Sequence, residues 1–109
     1  MKSLNLPVSV AALVKAQNDF NLVMFADQFA DDAVVHDEAK IYNGRKEIQE
    51  WNEETTKKYS AKLFPENYTG DAAQGILQVD VSGSFPGSPI SLTYNMTFEN
   101  NKIKTLAIS

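Results

Sequence analysis

Two stretches in the second half of the chain alternate between apolar and polar residues, and this alternation constrains the fold more than any other feature. Every second residue is Leu or Val in residues 77–82, and Ile, Leu, Tyr, Met or Phe in residues 90–99. Successive side chains of a β-strand point to opposite faces, so each stretch predicts an antiparallel strand with one buried face. Glu99-Asn100-Asn101 predicts a tight turn, and residues 102–108 predict a last strand. The apolar face of such a sheet has to be covered by other elements.

The first half of the chain supplies helices that can cover this face. Residues 8–20 carry apolar side chains at three- and four-residue spacing, which predicts a helix with Pro7 in its first turn. Asp19 or Asn21 can cap a second, short helix that ends at residues 30–32. The predicted apolar positions of this second helix are Leu22, Phe25, Ala26 and Phe29.

A strand is predicted next, beginning at residues 34–35 and resuming at residues 41–42 after a kink. Pro65 and Gly70 interrupt the pattern of a later segment, and the strand-like alternation returns only from Ala73 onward. The sheet is therefore expected to consist of an early strand and a group of late strands.

A third helix separates these two parts of the sheet. Asn43-Gly44 predicts a turn, and the helix is expected to run from about Arg45 to Tyr59. Its apolar stripe consists of Ile48, Trp51, Thr55 and Tyr59. This order of elements predicts one α+β domain over residues 1–109. We expect a cone-shaped, curved, mainly antiparallel (mixed) sheet wrapped by three helices from the N-terminal half.

Composition excludes several classes of function. The 109 residues are 43% apolar and 22% charged, and no run approaches the roughly 18 apolar residues of a membrane span. There is no cysteine, and hence no thiolate nucleophile and no disulfide. The net charge is −4 and the basic residues are scattered, which argues against nucleic acid as a partner. The N-terminus lacks a convincing cleavage site, so a cytoplasmic location is expected.

Three stretches carry a resemblance to a known family: LVMFADQFADDAVVHDEA, YNGRKEIQEW and VSGSFPGSPISLTYNMTFENNKIKTL. Together with the order of elements, they resemble the NTF2-like superfamily on its SnoaL-like and ketosteroid-isomerase-like side. The resemblance implies a cystatin-like α+β barrel whose interior binds an apolar small molecule, a homodimer packed through the sheet, and no cofactor. The superfamily includes isomerases, cyclases, dehydratases and modules without catalytic activity, so the fold alone does not give the function.

Asp37 is the candidate general base. Strand alternation places Val35 and Asp37 on one face and Val34, His36 and Glu38 on the other. By resemblance, Asp37 falls where steroid isomerases carry their general-base aspartate. An apolar cavity would raise the pKa of this carboxyl toward a value useful for proton abstraction next to a carbonyl. The alternative is a structural aspartate that caps a turn or pairs with Arg45 or Lys40.

The partners of this base differ from those of steroid isomerases. By resemblance, Leu13 and Tyr94 take the positions of the tyrosine and the protonated aspartate that bind the substrate oxygen in ketosteroid isomerase. Tyr94 is therefore the candidate hydrogen-bond donor, with Asn52 or Tyr59 as possible helpers; alternatively it is a core aromatic. His36 is a weaker candidate for a pair with Asp37, and its alternative position is the surface or a dimer interface.

The remaining expectations concern the ligand site. A single histidine without an HExxH-like spacing predicts no metal site. The residues expected to line the ligand site are Leu13, Gln17, Phe25, Val35, Trp51, Asn52, Thr55, Tyr59, Leu92 and Met96. The first functional hypothesis is an enzyme of the isomerase, cyclase or dehydratase type that abstracts a proton next to a carbonyl. The alternative is a non-catalytic ligand-binding or dimerisation module of the same fold.

Overall fold

Three helices and six strands make up the computed structural model, which describes residues 5–109; residues 1–4 of the predicted domain lie outside the described residues. The helices are α1 (Val8–Asn18), α2 (Leu22–Asp27) and α3 (Gly44–Tyr59). The strands are β1 (Phe29–Asp37), β2 (Lys40–Asn43), β3 (Lys62–Gly70), β4 (Gln74–Ser82), β5 (Ile90–Glu99) and β6 (Lys102–Ile108). Among these elements, no helix is both long and apolar enough to cross a membrane.

The six strands form one sheet in the order β2-β1-β6-β5-β4-β3. Every neighbouring pair is antiparallel except β1 and β6, which run parallel. The register shifts within three pairs: β1 with β6, β3 with β4, and β5 with β6. Such bulges bend strands and increase their twist, so the sheet curves. The prediction of an α+β fold with a curved, mainly antiparallel sheet is confirmed.

The inner face of the sheet forms the core with the helices. The strands contribute Val35, Leu77, Val79, Met96, Ile103 and Leu106, and the helices contribute Val10, Leu13, Ala16, Phe25 and Ile48. On the opposite, outer face the alternate residues of the central strands, such as Gln74, Asn95 and Thr97, are exposed. The alternation predicted for β4 and β5 therefore separates core from solvent.

The predicted end of the second helix is wrong. α2 ends at Asp27, and Phe29 belongs to β1, where its side chain is completely buried. Phe29 matched the helical spacing because the first inward position of the strand happens to follow Ala26 by three residues. The N-terminus of α2 agrees with the prediction, since the Asn21 side chain accepts a hydrogen bond from the Met24 N–H at 3.0 Å.

The predicted kink between residues 35 and 41 is instead a hairpin. Asp37 pairs with Lys40, so only Glu38 and Ala39 form the turn. Both have a left-handed backbone, with φ of 51° and 64°. Two-residue hairpins of this hand normally use Asn and Gly, which explains why the sequence did not indicate a turn.

The segment around Pro65 was not predicted as a strand, yet it forms β3. This strand lies at the edge of the sheet, where proline costs no ladder hydrogen bond, and its register shifts just after Pro65. The Asn18 side chain of α1 occupies the free edge: it donates to the Leu63 carbonyl at 2.9 Å and accepts from the Leu63 N–H at 2.7 Å. The end of α1 therefore fixes the position of β3.

Replacing a core strand residue should lower stability far more than replacing an exposed one. Ile103→Ala removes a fully buried side chain from β6, and we expect the free energy of unfolding to fall by about 2–5 kcal/mol. The matched control is Ile41→Ala in β2, where the side chain is 56% exposed and the change should stay within about 0.5 kcal/mol. Urea unfolding measures both variants, and equal losses would contradict this description of the core.

Candidate functional site

A cavity of about 240 Å³ opens between the inner face of the sheet and the helices; we call it the inner cavity. The helices line it with Gln17, Phe25, Trp51, Asn52, Thr55 and Tyr59. The strands and connecting turns line it with Asp37, Glu38, Ala61, Leu63, Val81, Phe85, Ile90, Leu92, Tyr94 and Ile108. Most of these side chains are apolar or aromatic, with a few polar groups among them, as is usual for small-molecule sites.

Asp37 is the last residue of β1, and its partly buried side chain reaches the wall of the inner cavity. Burial raises the pKa of the carboxyl above its ordinary value, and the neighbouring charge of Glu38 also raises it. A hydrogen bond opposes these effects, because Oδ2 accepts from Nε1 of Trp51 at 3.2 Å. Among the described residues Asp37 forms no salt bridge; Arg45 pairs instead with Asp31 at 2.9 Å. The alternative role of Asp37 as an ion-pair partner of Arg45 or Lys40 is therefore not seen.

Trp51 is held in place by two other aromatic rings. Its ring stacks on Tyr42 with centroids 5.6 Å apart, and it lies 6.2 Å from the ring of Phe25. These contacts come from β2 and α2, so the indole is packed by elements on two sides of α3. The fixed ring aims its only N–H donor at Asp37.

Tyr94 lies on the inner face of β5 and is only 8% exposed. Burial raises the pKa of its hydroxyl far above the ordinary value, and the nearby charge of Asp37 raises it further. The hydroxyl therefore keeps its proton and can donate a hydrogen bond. Within residues 5–109 it has no hydrogen-bond partner, and the side chain lines the inner cavity.

Two buried amides of the helices also line the inner cavity. Asn52 is 3% exposed; its Oδ1 is 3.5 Å from the Thr56 hydroxyl, while its Nδ2 donates to no described residue. Gln17 uses Nε2 to donate to the Ala61 carbonyl at 2.8 Å. A ligand can therefore find a donor at Asn52 and an acceptor at Oε1 of Gln17.

The structure brings most of the predicted site residues to the inner cavity. They are Gln17, Phe25, Asp37, Trp51, Asn52, Thr55, Tyr59, Leu92 and Tyr94. Leu13, Val35 and Met96 do not line it, because they are packed inside the core. His36 is exposed and lies on the opposite face of β1 from Val35.

Sequence reasoning missed several lining residues. Ala61 and Leu63 were missed because β3 was not recognised. Glu38 was expected on the other face from Asp37, but the strand has already ended and the turn directs Glu38 to the same cavity. Phe85, in the loop after β4, packs edge-on against Tyr59 with centroids 5.7 Å apart. Its apolar character within a Gly- and Pro-rich loop was the one available signal.

Among residues 5–109, no three side chains of His, Asp or Glu are grouped as metal ligands would be. The polar groups of the inner cavity are instead two carboxylates, two amides, and the hydroxyls of Thr55, Tyr59 and Tyr94. Such a set can accept and donate protons and hydrogen bonds without a metal ion.

No protein-family model matches the sequence, and no curated protein matches it. Solved structures do match. The chain is 33% identical to a proposed polyketide cyclase from Sinorhizobium meliloti, with 100% of both chains covered and a TM-score of 0.93.

Two further structures share the fold at lower identity. An NTF2-like protein of unknown function from Cytophaga hutchinsonii is 15% identical, with 100% of this chain and 93% of that chain covered and a TM-score of 0.80. A protein from Catenulispora acidiphila with a ketosteroid-isomerase-like fold is 17% identical, with 96% and 86% covered and a TM-score of 0.85. The chain therefore belongs to the NTF2-like superfamily, on the SnoaL-like and ketosteroid-isomerase-like side that its sequence resembles.

Proposed function

We propose that the protein binds a small, largely apolar carbonyl compound in the inner cavity and moves a proton at the carbon next to the carbonyl. The observation that carries this proposal is the position of Asp37. Its carboxylate is partly buried on the wall of a mainly apolar cavity and forms no salt bridge with any residue of the described chain. Desolvation makes this carboxylate a stronger base than an exposed aspartate. The Trp51 hydrogen bond to Oδ2 leaves Oδ1 to take the proton.

In the proposed step, the C–H bond of the substrate breaks and Asp37 takes the proton. The electron pair of that bond forms the enolate, whose negative charge develops on the carbonyl oxygen. Tyr94 and Asn52 are the proposed donors to this oxygen, since both are buried and have a free hydrogen-bond donor on the same cavity. Return of the proton to the same carbon completes an exchange. In a substrate with a C=C bond next to that carbon, the enolate is conjugated, and return of the proton to the far end of the C=C bond shifts this bond and completes an isomerisation without an oxidant or reductant.

The 33% identity to a proposed polyketide cyclase supports an enzyme. A non-catalytic ligand-binding module of the same fold is the second candidate. Such a module would bind its ligand in the same cavity, but binding alone does not require a desolvated base such as Asp37 beside the donors Tyr94 and Asn52. Proton transfer at a carbon centre therefore separates the two candidates.

Replacing Asp37 by Asn should abolish the proposed reaction while preserving the cavity. We expect wild-type protein to accelerate hydrogen–deuterium exchange at the carbon next to the carbonyl of cyclohexanone in D₂O. Asp37→Asn should lower this acceleration by about 10²–10⁴-fold, because the amide cannot take the proton. NMR of the ketone follows the exchange. The matched control is Asp80→Asn on the outer face of β4, which should leave the rate unchanged; equal rates in wild type and Asp37→Asn would exclude Asp37 as the base.

Trp51→Phe should raise the pKa of Asp37 further, because it removes the N–H donor and keeps an aromatic ring beside Tyr42 and Phe25. Carbon-13 NMR of the Asp37 carboxyl measures this shift, and an unchanged pKa would show that the hydrogen bond does not tune the base.

Because the pKa of Asp37 is raised in the folded state, folded Asp37 binds more protons than unfolded Asp37 in the pH range between the two pKa values. The contribution of Asp37 to the free energy of unfolding therefore falls as pH rises through that range. Asp37→Asn should lack this fall.

The outer face of the sheet is the proposed surface of a homodimer. Around Ile76, which is 45% exposed, the neighbouring strands place the uncharged residues Asn95, Thr97, Thr105 and Ala107. These uncharged side chains can pack on the same surface of a second copy of the chain.

A charge on this surface should prevent dimerisation. We expect wild-type protein to sediment as a dimer and Ile76→Lys to sediment as a monomer, because the introduced charge would be buried in the interface. Val23→Lys on α2, at a side chain that is 61% exposed, is the control and should remain dimeric. Analytical ultracentrifugation distinguishes these states, and a monomeric wild type would contradict the proposal.

A further inference from the structure

The inner cavity is negatively charged. Two consecutive residues, Asp37 and Glu38, line it, while none of its lining residues is Lys, Arg or His. Glu38 reaches the cavity because its φ of 51° in the turn after β1 breaks the alternation of the strand. A ligand that fills the cavity displaces water from both carboxylates, so the charge of the ligand affects its binding strongly.

No described cation forms a salt bridge with either carboxylate. Lys58 is the nearby basic residue, and its exposed ammonium lies 5.2 Å from the centroid of the Tyr59 ring. Tyr59 raises the pKa of Lys58 most, and the nearby charge of Glu38 raises it further, so Lys58 partly balances the charge of Glu38. Water screens this exposed ammonium, and Lys58 does not line the cavity. The two carboxylates therefore keep a net negative potential at the wall.

Aromatic rings surround the same space. Phe25, Trp51, Tyr59 and Phe85 line the inner cavity together with the two carboxylates. The faces of such rings attract cations, most strongly where water is excluded. Rings and carboxylates together are the chemical groups by which proteins recognise ammonium ions.

Besides the two carboxylates, the inner cavity contains two hydrogen-bond donors that a ligand could use. Tyr94 and Asn52 are 8% and 3% exposed, and within the described chain neither the Tyr94 hydroxyl nor Nδ2 of Asn52 donates to another residue. Both residues line the inner cavity, where these two donors can meet an acceptor on a ligand. One cavity therefore offers donors for an uncharged oxygen and carboxylates for a cation.

We propose that the substrate carries a protonated amine in addition to its carbonyl group, with the ammonium beside Glu38 and the Tyr59 ring and the carbonyl oxygen at Tyr94 and Asn52. This inference rests on the proposed function and names its substrate class: a small amino-carbonyl compound. Carboxylates and phosphate esters are disfavoured, because they would place an anion beside two carboxylates that form no salt bridge with a described residue. The ammonium also favours the negative charge that develops on the carbonyl oxygen.

Three probes of the same shape test the charge preference: cyclohexylmethylammonium, cyclohexylmethanol and cyclohexanecarboxylate. NMR titration of the full chain at neutral pH measures the three dissociation constants. We expect the ammonium to bind about tenfold more tightly than the alcohol, and the carboxylate more weakly than the alcohol. Added salt should weaken binding of the ammonium and not of the alcohol. The inference is overturned if the alcohol or the carboxylate binds as tightly as the ammonium.

Glu38→Gln identifies the carboxylate that binds the ammonium. We expect it to weaken binding of the ammonium about tenfold and to leave the alcohol unaffected. Glu66→Gln, an exposed residue of β3, is the matched control and should change neither constant. Unchanged ammonium binding in Glu38→Gln would overturn the role of this residue. Because the titrations measure no turnover, a charge preference without ketone exchange would contradict only the proposed function.

Discussion

The inner face of the sheet has to be kept out of water, and only three short helices are available to cover it in the described chain. Ile48 of α3 and Leu13 of α1 are completely buried in the core, and Phe25 of α2 is almost completely buried there, so all three helices contribute to the apolar cover. Towards the end of β1 the cover is incomplete, and the space left there is the inner cavity. The site is therefore a consequence of how the sheet is covered, rather than an addition to a finished core.

Polar groups can occupy this space only if the surrounding packing holds them. Trp51 shows how this is achieved, because the same ring packs on Tyr42 and Phe25 and donates to Asp37. Full ionic pairing of Asp37 would remove its basicity, and full burial without a donor would keep it protonated at neutral pH. One hydrogen bond from a neutral indole lies between these extremes, since it stabilises the charged carboxylate without neutralising it.

Prediction from the sequence was correct for the elements in which the local pattern and the tertiary packing agree. The stripe of α3 and the alternation of β4 and β5 each have a single periodicity, and the structure follows both. Prediction failed where tertiary context overrode local signals. Phe29 fits a helix by spacing but is buried from a strand, and the Pro65 segment is a strand only because it lies at an edge held by Asn18.

Prediction of the site residues from local pattern also failed where that pattern ended, and Glu38 is the example. Alternation is a rule about strands, so it placed Asp37 correctly and failed one residue later, where the strand ended in a turn without the usual Asn-Gly sequence. Glu and Ala are poor residues for a left-handed backbone, and a turn built from them is less stable than one built from Asn and Gly. Asn and Gly at these positions would favour the turn but would remove the second carboxylate from the cavity. The rest of the fold therefore has to stabilise this unfavourable turn, and the consequence of the turn is a second carboxylate on the wall of the cavity.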